Sequence, residues 1–226
     1  MEINLGAFPL FPLIFVLLIP FIYVLKKNRK ELKSILLIIF CSVAVIIFYP
    51  ITPILTDLIP LFGYTIAKFI LFVFLPIITI FYIERWHLKE IFSNLGVSKK
   101  NIRKSVKYGI LAAIVTIIIT MSVSNANNDL IYRGILFFEA FTEEFFFRGF
   151  LFLYLIKKTD RKIAYATSIL GFVLIHPQHF TELFLISTLA QGILLTIVTD
   201  KTENMTGAWI GHGLNRFAPA FIRSLF

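Results

Sequence analysis

Long apolar runs, each near 20 residues and separated by short basic loops, limit what this chain can fold into. A run of that length crosses the hydrocarbon core of a bilayer as one helix. Of the 226 residues, 58% are hydrophobic and 15% charged, and mean hydropathy is +0.86. Soluble domains are nearer half apolar and a quarter charged. The pattern predicts an all-α, polytopic membrane helical bundle of about eight transmembrane helices. It forms a single membrane domain over 1–226, with N-terminal helices over 1–123 acting mostly as apolar scaffold.

The expected segments are Phe8–Leu25, Ser34–Tyr49, Leu61–Tyr82, Tyr108–Ser122, Gly134–Ile156, Ile163–His176, Glu182–Val198 and Met205–Leu225. Pro50 and Pro53 break or bend the chain after the second, and Pro177 ends the sixth. The polar turn Ser124–Asp129 separates the fourth from the fifth. Lys68 sits near an end of the third segment, where a long side chain can snorkel to the interface. Trp86, Leu88, Ile91, Phe92 and Leu95 recur at spacings that suit an amphipathic helix on the membrane surface.

The loops after segments one, three, five and seven carry five, seven, four and one Lys or Arg. Those after segments two, four and six carry none, one (Arg133) and none. By the positive-inside rule the first group is cytoplasmic, which places both termini outside in a multi-pass cell-membrane protein. The net charge of +9 therefore meets lipid headgroups rather than nucleic acid. Cys41, the lone cysteine, makes no internal disulfide and reads as a core thiol. Glu2 precedes the first run without any Lys or Arg, and no small-residue cleavage site follows, so the run does not read as a cleavable signal.

Ionisable residues at membrane depth are expensive and mark functional sites. Glu143, Glu144, Arg148, His176, His212 and Asn215 are the main candidates, with Gln191 and Lys68 as lesser ones. On a helix, Glu144 and Arg148 are i,i+4 and face one another. Glu143 points about 100° away from Glu144 and has no cation at that spacing. A carboxylate without a dedicated partner in a low dielectric is suited to general acid or base work. Phe145, Phe146 and Phe147 read as lipid-facing, His179 as a loop residue close to water, and His87 is given no role. Gly207 and Gly211 have the spacing that lets helices approach closely. A carboxylate, two histidines and an amide together suit acyl transfer to water: a base for the water and donors for the oxyanion. No Ser or Cys is paired with a base in the same way. Glu143, His176 and His212 could also bind zinc, although the H-E-x-x-H spacing is absent.

These residues resemble the CPBP family, the intramembrane CAAX proteases and bacteriocin-processing enzymes also called Abi. Glu143-Glu144-Phe145-Phe146-Phe147-Arg148 fits the family's E-E-x-x-x-R motif, and Phe172 to His176 fits its F-x-x-x-H. His212 with Asn215 is similar to its late H-x-x-x-N, except that Asn215 is at +3 and Arg216 holds +4. The resemblance covers about 134–216, within a catalytic core over 134–226. It implies an endopeptidase acting on a membrane-associated or lipidated peptide, as in CAAX or leader processing. Glu143 and His176 would activate the water, His212 and Asn215 would stabilise the oxyanion, and Glu144 and Arg148 would support them. A metal-free, glutamate-type mechanism is favoured over zinc. A non-catalytic immunity-type or peptide-binding membrane protein is the alternative, and a small proton-coupled transporter a third reading.

Overall fold

A computed structural model describes residues 10–123, 129–176, 179–180 and 183–225. Every described element is helical. The expected turn at 124–128, the stop at Pro177 and the segment starts at Phe8 and Glu182 lie outside the described residues.

In chain order the elements are α1 (Leu13–Lys27), α2 (Leu32–Phe48), α3 (Ile51–Leu58), α4 (Gly63–Phe69) and α5 (Leu75–Glu84). They continue with α6 (Leu88–Asn94), α7 (Ile102–Val123), α8 (Leu130–Glu144), α9 (Arg161–Leu174), α10 (Phe184–Thr202) and α11 (Thr206–Arg223). A π-helical turn at Ile70–Phe74 joins α4 to α5. Four of the described helices are long and apolar enough to cross a membrane: Arg29–Phe48, Gly63–Glu84, Ile102–Val123 and Phe184–Thr202. The others expected as spans are shorter, as with α1 and α9, or carry charged and polar residues, buried glutamates in α8 and partly buried arginines in α11.

From Glu144 the helix widens into a ten-residue π-helix, Phe145–Tyr154, all of whose side chains are buried. A helix that is apolar all round belongs in the middle of a bundle. Phe145, Phe146 and Phe147 are fully buried against Phe72, Phe92, Phe141 and Phe172. They face protein, not lipid, because a membrane core and a protein core reward the same side chains.

The stretch after α5 is likewise fastened to the bundle through its apolar residues. Ile91 and Leu95 are fully buried, and the Phe92 ring meets Phe145 edge-on at 5.8 Å. His87 does have a role: it caps α6 in a capping box with Glu90. The expected close approach of α11 occurs against α7. Gly207 N–H donates to Ser105 Oγ at 2.8 Å. A β-carbon on either Gly109 or Gly207 would lie 2.0 Å from a carbonyl oxygen of the other helix. Cys41 is buried, as its apolar run suggested.

Candidate active site

The end of α8 carries Glu139, Glu143 and Glu144, all buried, and the π-helix adds buried Arg148. Arg148 Nη1 donates to Glu144 Oε1 at 3.1 Å, the i,i+4 pair read from the sequence. Arg148 Nη2 also reaches the Gln191 and Gly192 carbonyls, and its guanidinium stacks 4.2 Å over the Phe172 ring. The same Glu144 oxygen sits 2.7 Å from His212 Nδ1 on α11. Glu144 and Arg148 thus tie α8, α9, α10 and α11 together and fix the His212 ring.

Glu143 is not the unpartnered carboxylate that helix geometry suggested. Its Oε1 accepts from Arg216 Nη2 at 2.7 Å and from Lys68 Nζ. Lys68 also meets Glu139 at 2.5 Å, and Arg216 Nη1 meets Glu139 Oε2. Lys68 is 1% exposed, so it does not snorkel; two carboxylates on another helix hold it inside. The partners were invisible to a one-helix argument because they arrive from α4 and α11. Glu139, absent from the candidate list, is their second anchor. An i,i+4 spacing to Glu143 on an apolar helix was the available signal.

Glu143 Oε2 is buried and has no hydrogen-bond partner among the described residues. Two imidazoles flank it, His176 Nε2 at 3.9 Å and His212 Nε2 at 3.8 Å. His176 Nδ1 lies 2.8 Å from the Phe172 carbonyl. A carbonyl only accepts, so Nδ1 carries a proton, and when the ring is neutral it turns an Nε2 lone pair toward Glu143. His179 is not a solvent-facing loop residue: its ring stacks on His176 at 5.1 Å and its Nδ1 sits 2.7 Å from Thr188 Oγ1. Asn215 Oδ1 accepts from Thr120 Oγ1 at 2.9 Å, and Thr120 also meets Ser187 at 2.5 Å. That leaves the Asn215 amide nitrogen to donate.

Glu143, His176, His212, Asn215 and Arg216 all line one cavity of about 440 Å³. Its wall also takes Tyr49, Tyr64, Lys68 and Thr120 from the N-terminal helices, so that half of the chain supplies part of the site as well as scaffold. The amide of Gln191 faces the same cavity, with its Nε2 buried and unbonded.

Zinc donors bond at about 2.0–2.1 Å, which puts neighbouring donors of a tetrahedral shell about 3.4 Å apart. The two Nε2 atoms stand farther than that from Glu143 Oε2, and Oε1 of the same carboxylate already holds two cations. Among the described residues no group of three His, Cys, Asp or Glu side chains is gathered to hold a metal ion.

Residues 110–218 match the family described as Type II CAAX prenyl endopeptidase, Rce1-like. This match supports the resemblance of the segment to the CPBP family of CAAX proteases. No curated protein and no solved structure matches the chain. The likeness, together with the long apolar helices, indicates a membrane protein and supports a CAAX-type endopeptidase at the level of the family. The matched segment contains all six sequence-expected site residues and leaves out Lys68, the cation that α4 sends to Glu143.

Proposed function

We propose that this protein is a multi-pass intramembrane endopeptidase of the cell membrane that hydrolyses a peptide bond in a membrane-associated or lipidated peptide, without a metal. The observation that carries the reading is the buried, unbonded Glu143 Oε2 between the Nε2 atoms of His176 and His212 on a cavity wall. Two lone pairs facing one another across 3.9 Å call for a donor that serves both. A water fits that need, giving one hydrogen to Glu143 Oε2 and one to His176 Nε2, with its own lone pair left for a peptide carbonyl. Proton transfer to this pair generates the nucleophile. Lys68 and Arg216 hold Oε1, so that Oε2 is presented in one orientation.

As the tetrahedral intermediate forms, its oxyanion takes donors from His212 and Asn215, and its collapse breaks the C–N bond as the proton taken from the water passes from the Glu143–His176 pair to the leaving amine. A donating Nε2–H on His212 requires the imidazolium, and Glu144 at Nδ1 balances that charge. Thr120 fixes the Asn215 amide by holding its oxygen. Arg216, at the position where the family motif has the amide, keeps Glu143 in place instead.

Comparative peptidomics of membranes and medium from cells carrying wild-type protein or Glu143→Gln tests the reading. General-base loss is expected to cut cleavage by about 10²–10⁴-fold. Products that persist at near wild-type levels in Glu143→Gln overturn it. Chelation with 1,10-phenanthroline is expected to leave cleavage unchanged, and a loss restored by added zinc would reverse the metal-free assignment.

A further inference from the structure

The two ends of the bundle differ in charge, and the cavity belongs to only one of them. The loops rich in Lys and Arg are tied together at one end. Lys158 bridges Glu31 at 3.3 Å and Glu84 at 2.6 Å, and its carbonyl accepts from Asn28 at 3.2 Å. Arg161 pairs with Asp200 at 3.1 Å, and Lys100 pairs with Glu203. Asn204 donates to the Ser98 and Lys100 carbonyls at 2.7 and 2.8 Å. The loops after α1, α5, α8 with its π extension, and α10 therefore share one face, and it holds seventeen of the chain's 22 Lys and Arg residues. Three more form ion pairs with the glutamates of α8: Lys68 and Arg148, which are buried, and Arg216, which is partly buried.

The cavity is built from the opposite ends of the same helices. Tyr49 follows α2, Tyr64 begins α4, and Thr120 is one turn from the end of α7. Tyr132 is in the first turn of α8, Ser187 in the first turn of α10, and Pro219 in the last third of α11. Tyr132 is 41% exposed, so this wall reaches the surface. From there the cavity runs inward to Glu143, near the middle of the helical run from Leu130 to Lys157. Short loops rich in Lys and Arg stay cytoplasmic.

We infer that the cavity is loaded from the non-cytoplasmic side of the membrane, so that its substrate is an exported peptide, or the outward-facing part of a membrane-bound one, rather than a cytoplasmic tail. The identity of what enters rests on the peptidase reading; the side of entry does not. The test starts from a Cys41→Ser background and introduces single cysteines by Leu58→Cys, Leu136→Cys and Lys99→Cys. Leu58 is 71% exposed near the cavity end, half-buried Leu136 lines the cavity, and exposed Lys99 lies among the basic loops. A charged, membrane-impermeant thiosulfonate is applied to intact cells and to inside-out vesicles. Labelling of Leu58→Cys and Leu136→Cys in cells, and of Lys99→Cys only in vesicles, is expected. Labelling of Lys99→Cys in cells, labelling of Leu136→Cys only in vesicles, or no labelling of Leu136→Cys in either overturns the inference. Because labelling needs no turnover, the expected pattern together with no Glu143-dependent cleavage would sink the peptidase reading alone. In the peptidomic comparison, Glu143-dependent products are expected in the exported fraction. Products confined to the cytoplasm would overturn the side of entry.

Discussion

Glu143 has two oxygens in different surroundings, and its chemistry follows from the difference. Oε1 is held by Lys68 and Arg216, and Oε2 is left bare between two imidazoles. Asn215, the amide proposed as an oxyanion donor, is prepared less directly, through a hydroxyl. Thr120 donates to Asn215 Oδ1, which turns the amide nitrogen outward. Loss of one oxyanion donor costs about 10²–10³ in kcat. Asn215→Ala is expected to lose that much in a cleavage assay, with little change in KM. Thr120→Val removes the orienting bond to Asn215 and the contact with Ser187 but leaves the amide itself in place; with the orienting bond worth about 1 kcal/mol, kcat is expected to fall less than tenfold. Gln191 gives a prediction with the opposite sign in stability. Its Nε2 is a buried donor with no partner among the described residues, which costs about 1–3 kcal/mol of desolvation. Gln191→Leu is expected to leave Tm unchanged or raised while cleavage declines. Parallel loss of both would make Gln191 a structural residue.

At the scale of elements, close approach of α7 and α11 positions His212, Asn215 and Arg216. Gly109 faces the Gly207 carbonyl, and Gly207 faces the Ser105 carbonyl, each 2.0 Å from where a β-carbon would be. Gly109→Ala pushes backbone against backbone and is expected to cost about 1–3 kcal/mol as overpacking does, with activity falling as α11 shifts. Gly134, also helical, has nothing within 4 Å of its β-carbon position. Gly134→Ala is expected to stabilise by about 0.8–1 kcal/mol through helix propensity alone. Thermal unfolding of the two variants in one detergent checks both signs. Ordinary helical periodicity located Glu144 and Arg148 correctly because both lie close to the point where α8 gives way to the π-helix. Beyond that point, all ten side chains are buried and no face of the helix is left for lipid, which a hydropathy pattern does not reveal.

Across the whole molecule, the helical class and the gathering of Glu143, His176, His212 and Asn215 around one space were legible in the sequence. Each is a local pattern of run length or motif spacing. What was not legible is what distant helices supply. Lys68 comes from 75 residues before Glu143, and Arg216 from 73 residues after it. Together with Glu139 they form a largely buried cluster of two carboxylates and two cations that joins the N-terminal helices to the matched core. Such a cluster is costly to break and cheap to remove in balance. Taking one partner from a buried ion pair costs about 3–5 kcal/mol, because the charge left behind is uncompensated. Lys68→Met is therefore expected to lower stability by that order and to release Glu143 from its fixed orientation. Lys68→Met combined with Glu139→Gln leaves Glu143 and Arg216 as one matched pair. The double variant is expected to recover most of the lost stability, with a coupling of about 2–3 kcal/mol, at the upper end for residues in one network. Denaturant or thermal unfolding of the four corners of this cycle measures the coupling directly. Additive losses would mean that Lys68 acts on Glu143 alone, with Glu139 only a neighbour.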